Sequence, residues 1–244
     1  RAGRSRALIA LGPMLALPLG GWLTLWAGPR PIFLILAGCC LVGVWMARGL
    51  PTVGHDLHST PGRRFKWPDS VAMWSFIEGV ALDGLFIFGL SIQAQKLLGG
   101  DAVLIAGGLM ALRYVSEMLL SPLGGRAAQR FGATSMLLLF SFLSALALMA
   151  FGSYWVIVGA AAVLVLRALQ LPLVTTLVAE RNPGSMRVSA LASNAVWRDI
   201  GAGLGPLLAG LLLPVASAPL VFGVAGAAIA LSAVFCWRTR VAAD

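Results

Sequence analysis

The chain alternates between long apolar runs and short breaks that are polar or rich in glycine and proline. Eight of these runs reach the length of about 20 mainly apolar residues that a helix needs to cross a bilayer. The alternating short segments of a membrane β-barrel do not occur. The pattern therefore predicts an all-α polytopic membrane protein with eight transmembrane helices. The predicted spans are 7–26, 30–50, 70–97, 101–122, 133–152, 154–179, 187–213 and 217–237.

Composition agrees with this class and excludes others. Of the 244 residues, 59% are hydrophobic and 11% are charged, whereas a soluble domain has about 45–50% apolar and about 25% charged residues. A water-soluble or disordered chain is thereby excluded. The net charge is +9, but the basic residues lie at the ends of apolar runs rather than in one patch. We therefore expect the lipid bilayer, and no nucleic acid, as a partner.

Basic residues concentrate on one side of the predicted membrane. With eight spans, both termini lie on the same side, and 13 of the loop Lys and Arg residues fall there. The opposite loops hold only Arg30 and Lys96. The positive-inside rule therefore predicts a multi-pass protein of the cytoplasmic (inner) membrane, with both termini of this chain in the cytoplasm.

One predicted connection differs from the others. The segment 51–68 is long, polar and basic, and it lies on the predicted cytoplasmic side. Such a linker between compact helix groups indicates a domain boundary. It leaves two helices in residues 1–50 and six helices in residues 70–244, with 51–69 as the cytoplasmic linker.

Charged residues inside the predicted spans are candidate functional residues, because a charge at membrane depth is costly. The third, fourth, sixth and seventh spans hold them, and the first, second, fifth and eighth spans hold none. Three arginines and four acids nearly balance, which indicates pairing across a shared interior or a wet cavity. They are Glu78, Asp83, Arg113, Glu117, Arg167, Arg198 and Asp199.

The positions of these charges suggest different roles. Asp83 lies near the middle of its span, which favours a proton or substrate site, with helix packing as the alternative. Glu78 lies about a turn and a half nearer the cytoplasm and, in an α-helix, on a different face. Arg167, with Gln170 one turn away, is expected to meet an acid on another helix or an anionic group of a substrate, and both options stay open.

Two further pairs of charges suggest helix pairing. Arg113 and Glu117 are four residues apart and share a helix face, as a structural ion pair would. Arg198 and Asp199 are adjacent and cannot face each other, so we expect one of them to pair with a neighbouring helix in a gating or packing role.

Small residues cluster in the seventh span, at Gly201, Gly205, Pro206 and Gly210. Such a cluster allows helices to approach closely, and proline permits a bend. The alternative is a broken helix that lines a substrate site.

No enzymatic activity is expected. The sequence has no nucleophile–base set, no phosphate-binding glycine loop and no HExxH motif. His55, Asp56 and His58 are too few for a metal site, and the three cysteines lie in apolar runs. We therefore expect no catalytic residues, no cofactor and no metal.

Two pairs of spans resemble each other. Residues 4–8 (Arg-Ser-Arg-Ala-Leu) precede the first span, and residues 187–191 (Arg-Val-Ser-Ala-Leu) precede the seventh. Each is followed by a glycine- and proline-rich helix and then by an uncharged helix that contains Phe33 or Phe222. A lag of six helices is the spacing of two six-helix halves related by a parallel repeat.

With this repeat, and with the segment 125–132, the chain resembles the major facilitator superfamily of secondary transporters. The family pattern in the loop between the eighth and ninth helices is Gly-x-Leu-Ala-Asp-Arg-x-Gly-Arg-Arg. Gln129 stands at the acidic position of that pattern, which weakens the inference of a charge relay. The matching residues are Gly125, Ala128, Arg130 and Gly132.

The resemblance implies that the spans are the fifth to twelfth helices of a twelve-helix fold. Residues 1–50 would be the last two helices of the N-terminal bundle, and residues 70–244 the six-helix C-terminal bundle. The other helices would come from the rest of a longer chain or from a partner. In the family the seventh and tenth helices line the central cavity, the eighth and eleventh lie beside it, and the uncharged sixth, ninth and twelfth face lipid.

The resemblance also implies function. We expect alternating-access transport of a small-molecule substrate, with protons as the default coupling ion and efflux as one possible direction. A non-transporting membrane subunit or assembly factor on the same fold is the alternative, and the substrate stays open. The candidates for the substrate and proton pathway are Glu78, Asp83, Arg167 and Gln170. The candidates for gating and helix pairing are Arg113, Glu117, Arg198, Asp199, Gly125, Arg130, Gly132, Gly205 and Pro206.

Overall fold

The structure is a computed structural model that describes residues 12, 14–16, 19, 23, 28, 30–49, 67–98, 102–184 and 186–241. Within these ranges the regular secondary structure is helical, without strands. The described residues form two compact units, one up to Trp67 and one from Pro68 onward. The predicted linker 51–69 and most of the first predicted span lie outside the described residues, as does the repeat segment 4–8.

The unit up to Trp67 contains helix α1 (Arg30–Arg48). Gly28, with φ +77°, precedes it, and its large apolar side chains, such as Phe33, Leu34 and Trp45, are exposed. A helix that is apolar and exposed all round is typical of a membrane span.

The unit from Pro68 onward begins with a composite helix of three parts. They are α2 (Ser70–Glu78), a π-helical segment (Gly79–Leu85) and α3 (Phe86–Leu98). Helix α2 starts at Ser70 because the side chain of Asp69 accepts a hydrogen bond from the backbone N–H of Ala72 at 2.7 Å.

Five further helices complete this unit and lie where the apolar runs predicted helices. Across the whole described chain, five helices are long and apolar enough to cross a membrane. Helices α4 and α7, which hold in-span charges, fall outside that set. The further helices are α4 (Ala102–Phe131), α5 (Ala133–Gly152), α6 (Val156–Arg181), α7 (Met186–Leu212) and α8 (Ala218–Val241).

The prediction that residues 125–132 form a loop was wrong. Helix α4 continues through Pro122 to Phe131, and only Gly132, with φ +86°, separates it from α5. A proline is tolerated inside a membrane helix where neighbouring helices satisfy the freed backbone groups. Glycine adopts a positive φ at no steric cost, so one residue suffices for the break.

The core lies between the helices in two apolar clusters. In one, Phe86, Phe151 and Phe222 stack edge to face, with successive ring centroids 4.9 and 4.6 Å apart. The other surrounds Trp74 and Leu173. Helices α5 and α8 pack against each other and expose apolar outer faces, which suits contact with lipid.

A seam of four glycines, Gly79, Gly84, Gly201 and Gly205, joins the composite helix to α7. A Cβ added at Gly205 would overlap the Cα of Gly84, and one added at Gly201 would overlap the carbonyl oxygen of Phe76. Gly210 has no neighbouring atoms within 4 Å of such a Cβ. The small residues of α7 therefore serve close helix packing at Gly201 and Gly205, and Gly210 takes no part.

The glycine seam predicts a contrast between two positions on α7. Gly205→Ala should lower the free energy of unfolding by about 1–3 kcal/mol, because the methyl group must push α7 off the composite helix. Gly203→Ala is the matched control, since an added Cβ there meets nothing within 4 Å, and it should be neutral or raise stability by up to about 1 kcal/mol. Denaturation in lipid nanodiscs measures both. Equal effects at the two positions would contradict the seam.

Candidate functional site

Six of the in-span charges meet in one cluster near the middle of their helices. The composite helix supplies two acids, α4 supplies an acid and an arginine, and α6 and α7 supply one arginine each. Three carboxylates and three guanidiniums give a net charge of zero. The charge cluster consists of Glu78, Asp83, Arg113, Glu117, Arg167 and Arg198.

Arg167 is the centre of the charge cluster. Its Nη1 donates a hydrogen bond to Oε1 of Glu117 at 2.5 Å, and its Nη2 is in ionic contact with Oδ1 of Asp83. Its Nε lies 3.7 Å from Oε1 of Glu78. The sequence left two partners open for Arg167, an acid on another helix or an anionic group of a substrate. The structure places acids of other helices beside it.

Two further arginines complete the cluster. Arg198 donates from Nη2 to Oδ2 of Asp83 at 2.5 Å and from Nε to Oε2 of Glu78 at 3.2 Å. Arg113 donates from Nη2 to Oδ1 of Asp83 at 3.3 Å and from Nε to Oε1 of Glu117 at 3.4 Å. Asp83 therefore meets three guanidiniums, whereas Glu78 meets two.

The π-helical segment brings the two acids of the composite helix to one face, and the prediction of different faces was wrong. Five residues of α-helix turn a side chain by about 140° from the first position. In a π-helix the hydrogen bonds run over five residues, so positions five apart stack. The backbone N–H of Phe86 accordingly bonds to the carbonyl oxygen of Ala81.

The sequence carries a signal for this π-helical segment. An acid followed by glycine occurs twice at a spacing of five, as Glu78-Gly79 and Asp83-Gly84. In the structure the acids face the arginines and the glycines face α7. The five-residue repeat is thus the spacing of a π-helix with two functional faces.

The charge cluster has a buried centre and a partly exposed rim. The side chains of Arg167, Glu78 and Asp83 are at most 8% exposed, whereas those of Arg113, Glu117 and Arg198 are 15–23% exposed. Withdrawing so many charges from water costs several kcal/mol per ion unless each meets an opposite charge. The equal numbers of acids and arginines meet that requirement.

The other candidate residues lie outside the charge cluster. Asp199 is exposed on α7 and takes part in none of the ion pairs found among the described side chains. Arg130 is exposed near the end of α4, with its guanidinium 5.3 Å from the centroid of the Phe131 ring. Gly125 is half-buried within α4, and Pro206 packs at the glycine seam beside Gly84. Their roles in gating stay predictions.

A cavity of about 280 Å³ borders the charge cluster, between α2, α6 and α7. Gln170, 1% exposed, lines it and donates a hydrogen bond from Nε2 to Oγ of Ser144 at 3.2 Å. The Oε1 atom of Gln170 is buried without a hydrogen-bond partner among the described residues. We call this space the polar cavity. Its walls include Trp74, Ser75, Glu78, Gln170, Asn194 and Arg198.

Three polar side chains at or beside the polar cavity were not predicted from the sequence. Ser75 donates a hydrogen bond to Oδ1 of Asn194 at 2.9 Å and so ties α2 to α7. Ser144 orients Gln170, and Ser141, three residues earlier, accepts a hydrogen bond from the indole of Trp74 at 3.0 Å. Two serines one turn apart in the middle of a mainly apolar span are the sequence signal for this face.

Comparison with known proteins gives one match. A family model described as Major Facilitator Superfamily matches residues 82–244. The matched region includes Asp83 and all of α4 to α8. No curated protein and no solved structure matches the chain.

The charge cluster predicts a large effect of removing its central arginine. Arg167→Met should lower the free energy of unfolding by about 3–5 kcal/mol, because three carboxylates, two of them buried, then face two guanidiniums. Adding Glu117→Gln restores the charge balance, so the double variant should be more stable than Arg167→Met alone. Chemical denaturation in nanodiscs measures this difference.

The matched control is Arg126→Met, which removes one exposed arginine of α4. It should change stability by no more than about 0.5 kcal/mol. If Arg167→Met behaves like this control, Arg167 does not hold the cluster together.

Proposed function

The chain belongs to the major facilitator superfamily, a family of multi-pass membrane transporters, and from this premise we propose that it is a proton-coupled secondary transporter. It moves a small solute across the cytoplasmic membrane by alternating access, with both ends of the chain on the cytoplasmic side. The observation that carries the proposal is the charge cluster. Ionisable side chains that face the interior of a membrane bundle are typical of proton pathways.

Glu78 is the acid that we assign to proton exchange. Asp83 contacts three guanidiniums, and its contact to Arg198 is 2.5 Å. Glu78 contacts two, at 3.2 and 3.7 Å. Neutralising Glu78 therefore breaks fewer and longer ion pairs. Glu78 also lines the polar cavity, through which a proton can reach it.

Protonation of Glu78 changes the pairing of α7. The charge cluster then has one positive charge in excess, and Arg198 keeps only Asp83 as an ionic partner within the cluster. Arg198 lies on α7, next to the glycine seam, where the backbone of α7 touches the composite helix. A change in this ion pair therefore acts on a tightly packed helix interface, and such an interface has few alternative arrangements.

The solute and the proton share one region in this proposal. The polar cavity and the charge cluster have Glu78 and Arg198 in common. A solute bound in the cavity therefore changes the surroundings of the same ion pair that the proton changes. That linkage is what coupled transport requires, because each ligand must favour one state over the other.

Glu78→Gln should separate coupled transport from exchange. The full-length protein is reconstituted in proteoliposomes with a pH dye inside, and solutes are screened for those that move protons. For an active solute, uptake driven by a pH gradient should fall at least about tenfold in the variant, since the proton site is gone, while solute exchange at equal pH persists.

Glu180→Gln is the control, because Glu180 is exposed near the end of α6. It should keep both activities. If gradient-driven uptake persists in Glu78→Gln, Glu78 is not part of the proton pathway. An absence of any solute-dependent proton flux in the wild-type protein would contradict proton coupling.

A further inference from the structure

We infer that the polar cavity binds an uncharged polar solute, which donates a hydrogen bond to Oε1 of Gln170. The inference rests on the proposed function, since it names the class of solute that the transporter carries. Three observations carry it: the free acceptor atom, the neutralised charges of the cavity wall, and the mixture of polar and apolar lining residues.

The first observation is the free acceptor atom, Oε1 of Gln170. Gln170 is buried in the middle of α6, and Ser144 holds its amide nitrogen. Its Oε1 has no hydrogen-bond partner among the described residues. A buried acceptor left without a donor costs free energy, so a solute that supplies an N–H or O–H group there gains that amount on binding.

The charges of the wall come second. Glu78 and Arg198 both line the polar cavity, but they are paired with each other at 3.2 Å. Arg198 is further bound to Asp83, and Glu78 lies near Arg167. A solute with a net charge would find no free counter-charge on this wall, and its own desolvation would go uncompensated. Hydroxyl and amide groups cost far less to desolvate than a charge.

The lining residues come third. The indole nitrogen of Trp74 is bound to Ser141, so its ring offers an apolar surface to the cavity beside Leu171 and Val174. Ser75 and Asn194 add polar groups to the lining. A volume of about 280 Å³ is near the lower end of small-molecule sites, which begin at about 300 Å³. The cavity therefore suits a small solute with one polar edge and one apolar face.

The test uses two matched sets of three compounds. Glucose, glucuronate and glucosamine share one pyranose ring and are uncharged, anionic and cationic, and nicotinamide, nicotinate and 3-picolylamine form a second such set. Binding to the full-length protein in nanodiscs is measured by thermal stabilisation, which grows with ligand concentration above Kd. We expect stabilisation by an uncharged member and none by its charged analogues.

Two variants then locate the binding. Gln170→Met removes the acceptor and should raise Kd of the uncharged compound about tenfold, the equivalent of one lost hydrogen bond. Gln129→Met makes the same substitution at an exposed position of α4 outside the polar cavity, and should bind within about threefold of the wild-type protein. Unchanged binding by Gln170→Met overturns the inference, as does stabilisation by the charged members alone or by none of the six compounds.

The outcome also separates this inference from the proposed function. If an uncharged compound binds through Gln170 but is not moved in exchange for protons, the solute site stands and proton-coupled transport fails. If a solute drives proton flux that Gln170→Met leaves unchanged, transport stands and the solute site at Gln170 fails.

Discussion

The contact of Arg167 with three carboxylates is the interaction on which the rest of this structure depends. Its guanidinium lies among Glu78, Asp83 and Glu117, which come from two other helices. An arginine buried in a membrane bundle is tolerated only with such partners. The composite helix and α4 must therefore turn their acids toward α6, and Arg113 and Arg198 must balance the acids that Arg167 leaves in excess.

The composite helix presents its acids to the arginines and at the same time packs closely against α7. Its π-helical segment stacks Glu78 over Asp83 for the arginines and Gly79 over Gly84 for α7. An α-helix with the same sequence would turn one acid and one glycine away from their partners. Charge pairing and close helix packing are thus coupled through one local conformation. In the proposed mechanism, a change in the ionisation of Glu78 would act on the glycine seam through Arg198.

Much of this arrangement could be predicted from the sequence, because single-residue properties determine it. The lengths of the apolar runs located the described helices, and the charges in four of the spans marked those that meet in the interior. The usual period of 3.6 residues puts Glu78 on the wrong face, because this segment is a π-helix that only the repeated acid–glycine pair signals. The continuation of α4 past Pro122 depends on neighbouring helices. The free acceptor of Gln170 likewise depends on Ser144, which is 26 residues away in the chain.

The most direct test of this account is the infrared difference spectrum of the full-length protein in nanodiscs between alkaline and acidic pH. A carboxylic acid absorbs at a different frequency from a carboxylate, so the measurement reports protonation inside the charge cluster. The account predicts a protonated-carboxyl band on acidification that Glu78→Gln removes and Glu180→Gln leaves in place. A spectrum without that band, or with a band that Glu78→Gln does not change, would contradict it.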